Sequence, residues 1–269
     1  MPKWLVRQMC DRTCIPMNVD EDTLLNVETV LYLSPHFDDL AYSNGGLITK
    51  KTMSAKFTLV NIFTRSVWAP NLKSHGISEE RISEVRQIED SRFCRKIGIR
   101  SLSLGFPDSS CRGYSNSNEA PLLINEEIIR KDSILNKVRT AIAEVLHRSR
   151  FDLVFAPLAI GNHVDHYCVF NTVHEMNLEG TQKVYYEDLP YCALLCMNEI
   201  DHVVSQRLQD AHPIVIDISN EIAKKIDNIR IYSSQVSAND IDAVRFHSRR
   251  IMGSEHLFHE RIWVQVYGK

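Results

Sequence analysis

No stretch of the chain approaches the ~20 consecutive apolar residues that a membrane-crossing helix needs. The opening segment, MPKWLVRQMC, holds basic residues but not the apolar core of a secretion signal. Positive charge is not in excess either. The 31 Lys and Arg against 34 Asp and Glu leave a net charge of -3, no footprint for nucleic acid or an anionic membrane. No repeat and no linker interrupts the sequence. No CxxC pair occurs among the seven cysteines, Cys10, Cys14, Cys94, Cys111, Cys168, Cys192 and Cys196. An odd number without paired spacing or export signal argues for reduced, space-filling thiols and a cytoplasmic protein. Cys10 and Cys14 lack the second pair that a structural zinc site uses. What is present, 44% hydrophobic and 24% charged residues over 269 positions, suits a single α/β domain.

Residues 1–28 show no clean period and read as a partly ordered arm, with Asp20-Glu21-Asp22 as a turn or helix start. Apolar, β-branched runs predict strands over Val30–Leu33, Phe57–Phe63, Ser101–Leu104, Asp152–Ile160, Lys183–Tyr186, Pro213–Ile218 and Arg261–Val266. Helical spacing predicts helices over Gly45–Lys51, Ser78–Ile97, Ile124–His147, Tyr167–Met176, Asn220–Ser233 and Asp240–Met252. Ile82, Val85, Ile88 and Phe93 form the apolar stripe of the second, Gly98 closes it, and Ser219 caps the fifth. Polar loops over Ala69–Gly76 and Ser109–Asn118 read as a site rim. Strands alternating with helices predict a Rossmann-like, mostly parallel sheet covered on both faces, with the active site at the C-terminal strand ends.

Two polar clusters stand at such ends. The first, Ser34 to Gly46, packs His36-Phe37-Asp38-Asp39 directly behind a buried strand. The second, Gly161-Asn162-His163-Val164-Asp165-His166, follows Asp152–Ile160. In a parallel sheet the two converge on one edge. Imidazole and carboxylate are both zinc ligands, and a catalytic zinc takes three protein ligands and keeps one position open. His36, Asp39 and His166 supply that set. Asp38 lies beside it as a base for water, and His163 as a second catalytic group whose tautomer Asp165 would hold. Read singly, each cluster is also a helix start with Asp caps; two at equivalent sheet positions favour a site.

PHFDD followed by Gly45-Gly46, together with HVDH, resembles the PIG-L/LmbE family of zinc-dependent deacetylases. The usual first motif is PHPDDE; here Phe37 replaces the proline and Leu40 the glutamate. Family-like features continue through Arg81-Ile82-Ser83-Glu84, Gly105-Phe106-Pro107-Asp108 and YYEDLPY (Tyr185–Tyr191), so the motif-bearing core spans residues 30–192 of one domain covering 1–269. The resemblance implies one Zn2+ per chain on His36, Asp39 and His166, with Fe2+ as a substitute. It implies Asp38 as general base, His163 steadying the oxyanion or protonating the amine, and Arg81 and Asp108 contacting the sugar. The implied substrate is an N-acetylglucosamine-type amino sugar, here a soluble conjugate or antibiotic intermediate because no amphipathic anchor is evident.

Other readings remain at this stage. A non-haem Fe(II) oxygenase also uses two histidines and a carboxylate, but on a β-barrel. A non-catalytic sugar- or nucleotide-binding protein would not need Asp38 and His163. A related fold acting on another amide or ester is a third. Oligomeric state has no sequence signal.

Overall fold

A computed structural model of the chain describes residues 24, 26–50, 55–72, 76–114 and 131–265. Cys10, Cys14, Asp20–Asp22, most of the expected arm, 73–75 of the first rim loop, 115–118 of the second and 124–130 of the helix expected from Ile124 lie outside these residues.

The elements run β1 (Thr29–Ser34), α1 (Asp39–Thr49), β2 (Lys56–Arg65), α2 (Glu79–Ile97), β3 (Arg100–Pro107), α3 (Ile134–Arg148), β4 (Leu153–Pro157) and α4 (Val164–Glu175). They continue through β5 (Gln182–Tyr186), α5 (Met197–Arg207), β6 (Ala211–Asp217), α6 (Ile222–Ile229), α7 (Ala238–Arg250) and β7 (His259–Gln265). One sheet holds all seven strands in the order β3-β2-β1-β4-β5-β7-β6. The five strands from β3 to β5 pair in parallel, and β7 runs antiparallel to both its neighbours, so the α/β reading with a mostly parallel sheet holds.

β1 is buried from Val30 to Ser34, as a central strand covered on both faces must be. Tyr32 stacks on Tyr186 at 4.8 Å and on Phe155 at 5.7 Å, crossing from β1 to β4 and β5. Both buried hydroxyls are satisfied: Tyr32 donates to Asn44 Oδ1 at 3.1 Å and Tyr186 to the Leu33 carbonyl at 3.0 Å. α2 begins at Ser78, whose hydroxyl accepts from the Arg81 amide, and ends at Gly98 with φ 75°.

Several expected elements shift. α1 starts at Asp39, and Gly45-Gly46 lies inside it rather than opening it. A Cβ on Gly46 would sit 2.7 Å from Ile218 Cδ1 and 2.8 Å from Glu260 Oε1, so glycine is there for close approach. The helix is kinked at Asn44 (φ -124°, ψ 24°). Glu260 of β7 takes the Gly46 and Leu47 amides at 2.7 and 2.8 Å, the donors that would otherwise close onto Tyr42 and Ser43. Buried Lys225 completes the exchange, bonding Glu260 at 2.8 Å and the Ser43 carbonyl at 3.4 Å. The stripe of α2 is also mixed. Ile82 and Phe93 are buried, but Ile88 is exposed and Arg86, Glu89 and Asp90 face inward. Ser219 does not cap α6; it bonds Asp217 and accepts from the Phe258 amide, and the helix starts three residues later. α5 had no counterpart in the sequence reading.

Candidate active site

The sheet order changes direction between β1 and β4: β2 and β3 lie to one side, β5 to the other. That switch point opens a crevice at the carboxyl ends of the two central strands. Chain leaves β1 through Pro35-His36-Phe37-Asp38 and leaves β4 through 158–163, so both polar clusters face this crevice.

His36, Asp39 and His166 meet there as expected. Asp39 Oδ2 lies 3.6 Å from His36 Nδ1 and Asp39 Oδ1 lies 3.3 Å from His166 Nε2. The Asp39 carboxylate is held by the His36 amide at 2.6 Å. His163 joins them: one ring nitrogen of His36, His163 and His166 each lies within 4.8 Å of the others. Asp38 occupies the N-cap position of α1 but makes no side-chain capping bond, so the capping reading does not account for its carboxylate. It is partly exposed at the mouth.

The outer nitrogens of two imidazoles are bound. His36 Nε2 contacts Asp165 Oδ2 at 2.9 Å and His166 Nδ1 contacts Asp188 Oδ1 at 2.6 Å. Each carboxylate fixes the proton on that outer nitrogen and turns the other lone pair inward. His166 Nε2 is buried and makes no hydrogen bond. An orphaned imidazole lone pair beside a carboxylate and a second imidazole has the donor chemistry of a divalent-cation site.

Electrostatics agree. Burial pushes the Asp39 carboxyl up, only partly countered by His166 and His36. His166 is pushed up to about 9: burial works against its charge, but Asp39 and Asp188 outweigh it. Burial also opposes the Asp165 charge, yet the His36 hydrogen bond and the Arg112 guanidinium at 2.7 Å hold its carboxyl far below the usual range. The Ser109 amide adds a third donor at 2.9 Å.

Two expected roles move. Asp165 does not hold the tautomer of His163; it orients His36. His163 is the N-cap of α4, and its Nδ1 accepts from the Asp165 amide at 3.2 Å, which turns the Asp165 carboxylate away from its ring. The same bond leaves the His163 proton on Nε2, and burial pushes this imidazole well below its ordinary value, so it stays neutral. Arg81 does not reach the crevice: it is exposed on α2 and pairs with Glu84 at 2.6 Å. Arg86, five residues on, is buried and bonds Asp108 at 3.4 Å. Asp108 also accepts from Ser110 at 2.5 Å, which ties the Arg86–Asp108 pair to the turn that touches Asp165.

Comparison with known proteins decides the family. The family model described as GlcNAc-PI de-N-acetylase (PIG-L) matches residues 31–177. The chain belongs to the PIG-L family. It is 32% identical over 255 residues to 2'-N-acetylparomamine deacetylase of Streptomyces fradiae, covering 93% of this chain and 86% of that one. Its fold is similar to that of a deacetylase from the teicoplanin biosynthesis pathway, with TM-score 0.67 at 20% identity over 88% of this chain and 97% of that one. It is similar also to N,N'-diacetylchitobiose deacetylase from Pyrococcus horikoshii, with TM-score 0.62 at 15% identity over 93% and 88%.

The matched PIG-L segment contains His36, Asp38, Asp39, His163, Asp165 and His166 but stops short of Asp188. Asp188, Arg112 and Arg86 are the site residues that sequence reasoning missed. Only Asp188 carried a signal, its place in YYEDLPY at the end of a predicted strand.

Proposed function

We propose that the protein is a metal-dependent N-deacetylase that frees the amine of an N-acetylated amino sugar on a soluble conjugate of the antibiotic-intermediate type. The observation that carries this reading is the orphaned, buried Nε2 of His166 facing His36 Nδ1 and Asp39 at the switch point. His36, Asp39 and His166 would hold one ion per chain. Zinc suits two imidazoles and a carboxylate, and Fe(II) is the alternative occupant. When bound, such an ion polarises an acyl carbonyl and makes hydroxide accessible near neutral pH.

The chain's own groups do the rest. Asp38, uncapped at the mouth, takes the proton from the attacking water and returns it to the departing amine nitrogen. His163 is neutral, so it presents Nε2–H as a hydrogen-bond donor to the carbonyl oxygen as charge builds there. Asp165, backed by Arg112, and Asp188 hold the two ligating imidazoles in orientation. Asp108 with Arg86 forms the polar wall for sugar hydroxyls, the part first given to Arg81. A binding protein without turnover would have no use for Asp38 and His163 beside the ligands. The 32% identical relative is named for N-acetylparomamine, which supports an N-acetylated aminoglycoside-type substrate. Unpaired Cys94, Cys111, Cys168, Cys192 and Cys196 accord with a reducing, cytoplasmic setting.

Acetate release from a panel of N-acetylated amino sugars tests the reading, with metal content measured on the same sample. Release should stop on chelation and return with zinc. Asp38→Asn should keep the metal and lose most turnover, whereas His166→Ala should lose the metal. Full activity in metal-replete Asp38→Asn would remove the base assignment. The convergence of three imidazoles favours one competing ligand set, with His163 on the ion; loss of metal in His163→Ala would establish it.

A further inference from the structure

The carboxylate that orients His166 stands in a turn gripped from both sides by one helix. Asp188 accepts from His166 Nδ1 at 2.6 Å and from the Ile160 amide at 2.9 Å. On its N-terminal side, Glu187 Oε2 lies 2.6 Å from His247 Nε2 of α7. On its C-terminal side, Arg250, one turn further along α7, donates to the Cys192 carbonyl at 2.5 Å. The Cys192 amide in turn donates to the Asp188 carbonyl at 2.9 Å.

The protons in this network can be assigned. Arg250 lies 2.9 Å from His247 Nδ1, and a guanidinium can only donate. Nδ1 therefore accepts, and His247 carries its proton on Nε2, aimed at Glu187. Trp263 Nε1 donates to Glu187 at 3.0 Å and Arg261 donates to the same oxygen. Glu187, His247, Trp263 and Arg261 are all buried. A buried carboxylate with three donors, one of them charged, is costly to displace, so Glu187 is a fixed point next to Asp188. Glu187, His247, Arg250, Arg261 and Trp263 lie beyond the matched segment 31–177.

We propose that α7, through His247 and Arg250, clamps the Glu187–Cys192 turn and so sets the position of Asp188 and the affinity of the centre for its metal ion. This rests on the metal-centre reading above. His247 and Arg250 are positioning residues: they act through Asp188 and His166 and touch no substrate.

Zinc affinity of the full chain, measured by competition with a chromophoric chelator well below the unfolding temperature, tests the proposal. Asp188→Asn should weaken zinc binding by ~10–100-fold, the usual worth of a partner behind a ligating histidine. His247→Gln should weaken it by ~10-fold, the lower end of that range. The double variant should bind no more weakly than Asp188→Asn alone, because His247 acts through that carboxylate. Trp263→Phe keeps an aromatic side chain and removes one donor to Glu187; it should give a smaller loss in the same direction and serves if His247→Gln does not fold. Losses that multiply in the double variant, or unchanged affinity in a folded variant while the wild type binds zinc, would overturn this inference alone. A wild type that binds no zinc would overturn the metal-centre reading and this inference with it.

Discussion

His36, His163 and His166 share a crevice but differ in task, and the second nitrogen of each ring sets the difference. His36 and His166 give theirs to Asp165 and Asp188, which leaves a lone pair facing inward; His163 accepts at Nδ1 and faces the crevice with a proton. His163→Ala should therefore leave zinc content intact and lower the rate by ~10²–10⁴-fold, the range for a positioned proton-bearing group. Metal analysis and steady-state rates on one sample check this. A loss below tenfold would make His163 structural. The convergence of the two clusters was legible in the sequence, because residue type and strand-end position are local signals. The direction of the Asp165 carboxylate was not. It depends on His163 becoming a helix cap and on a partner at His36, 129 residues away. Arg86 was hidden for a related reason: an inward arginine on α2 is paired by Asp108 on another element, and sequence alone shows only an amphipathic helix with arginines on it.

At the scale of the element, α1 carries the clearest departure from expectation. Gly45-Gly46 read as punctuation, yet it sits mid-helix where Ile218 and Glu260 come close. Gly46→Ala forces 2.7–2.8 Å contacts on both and should cost about 1–3 kcal/mol, the usual price of overfilling a tight core site. A lowered midpoint in chemical denaturation checks it, and an unchanged midpoint would mean that β7 can retreat from α1 freely. Boundaries elsewhere shifted where capping was misassigned, as at Ser219, which serves the Phe258 strand start instead. α5 was missed because only Ile200 and Val204 of its 11 residues are buried, too short an apolar stripe to raise a periodic signal.

At the scale of the whole molecule, the α/β class was legible because apolar, β-branched runs alternate with segments of helical spacing, even though β3 at the sheet edge is largely exposed. The antiparallel β7 was not, since strand direction leaves no mark on composition. One stability property belongs to the interior as a whole. Burial pushes Asp90 up to about 7, even though Tyr232, Cys94 and Asn61 hydrogen-bond it. Between pH ~4 and ~7 the unfolded chain has lost this proton while the folded one keeps it. Stability therefore falls as pH rises through that window, by roughly 4 kcal/mol at most, and is flat with respect to Asp90 above it. Asp90→Asn should remove this slope, read as denaturation midpoints from pH 4 to 8; a slope that persists would assign it elsewhere. The kink in α1 bears on how the chain is made. Glu260 follows Gly46 by 214 residues, so during synthesis the helix that begins at Asp39 waits for β7, the last of the described strands, before its second half is capped. The ligand-bearing end leaves the ribosome first and is finished last. A nascent chain halted before β7 would hold all three proposed metal ligands, but with Asp39 on a helix whose second half is still uncapped, a client for chaperones rather than a smaller enzyme.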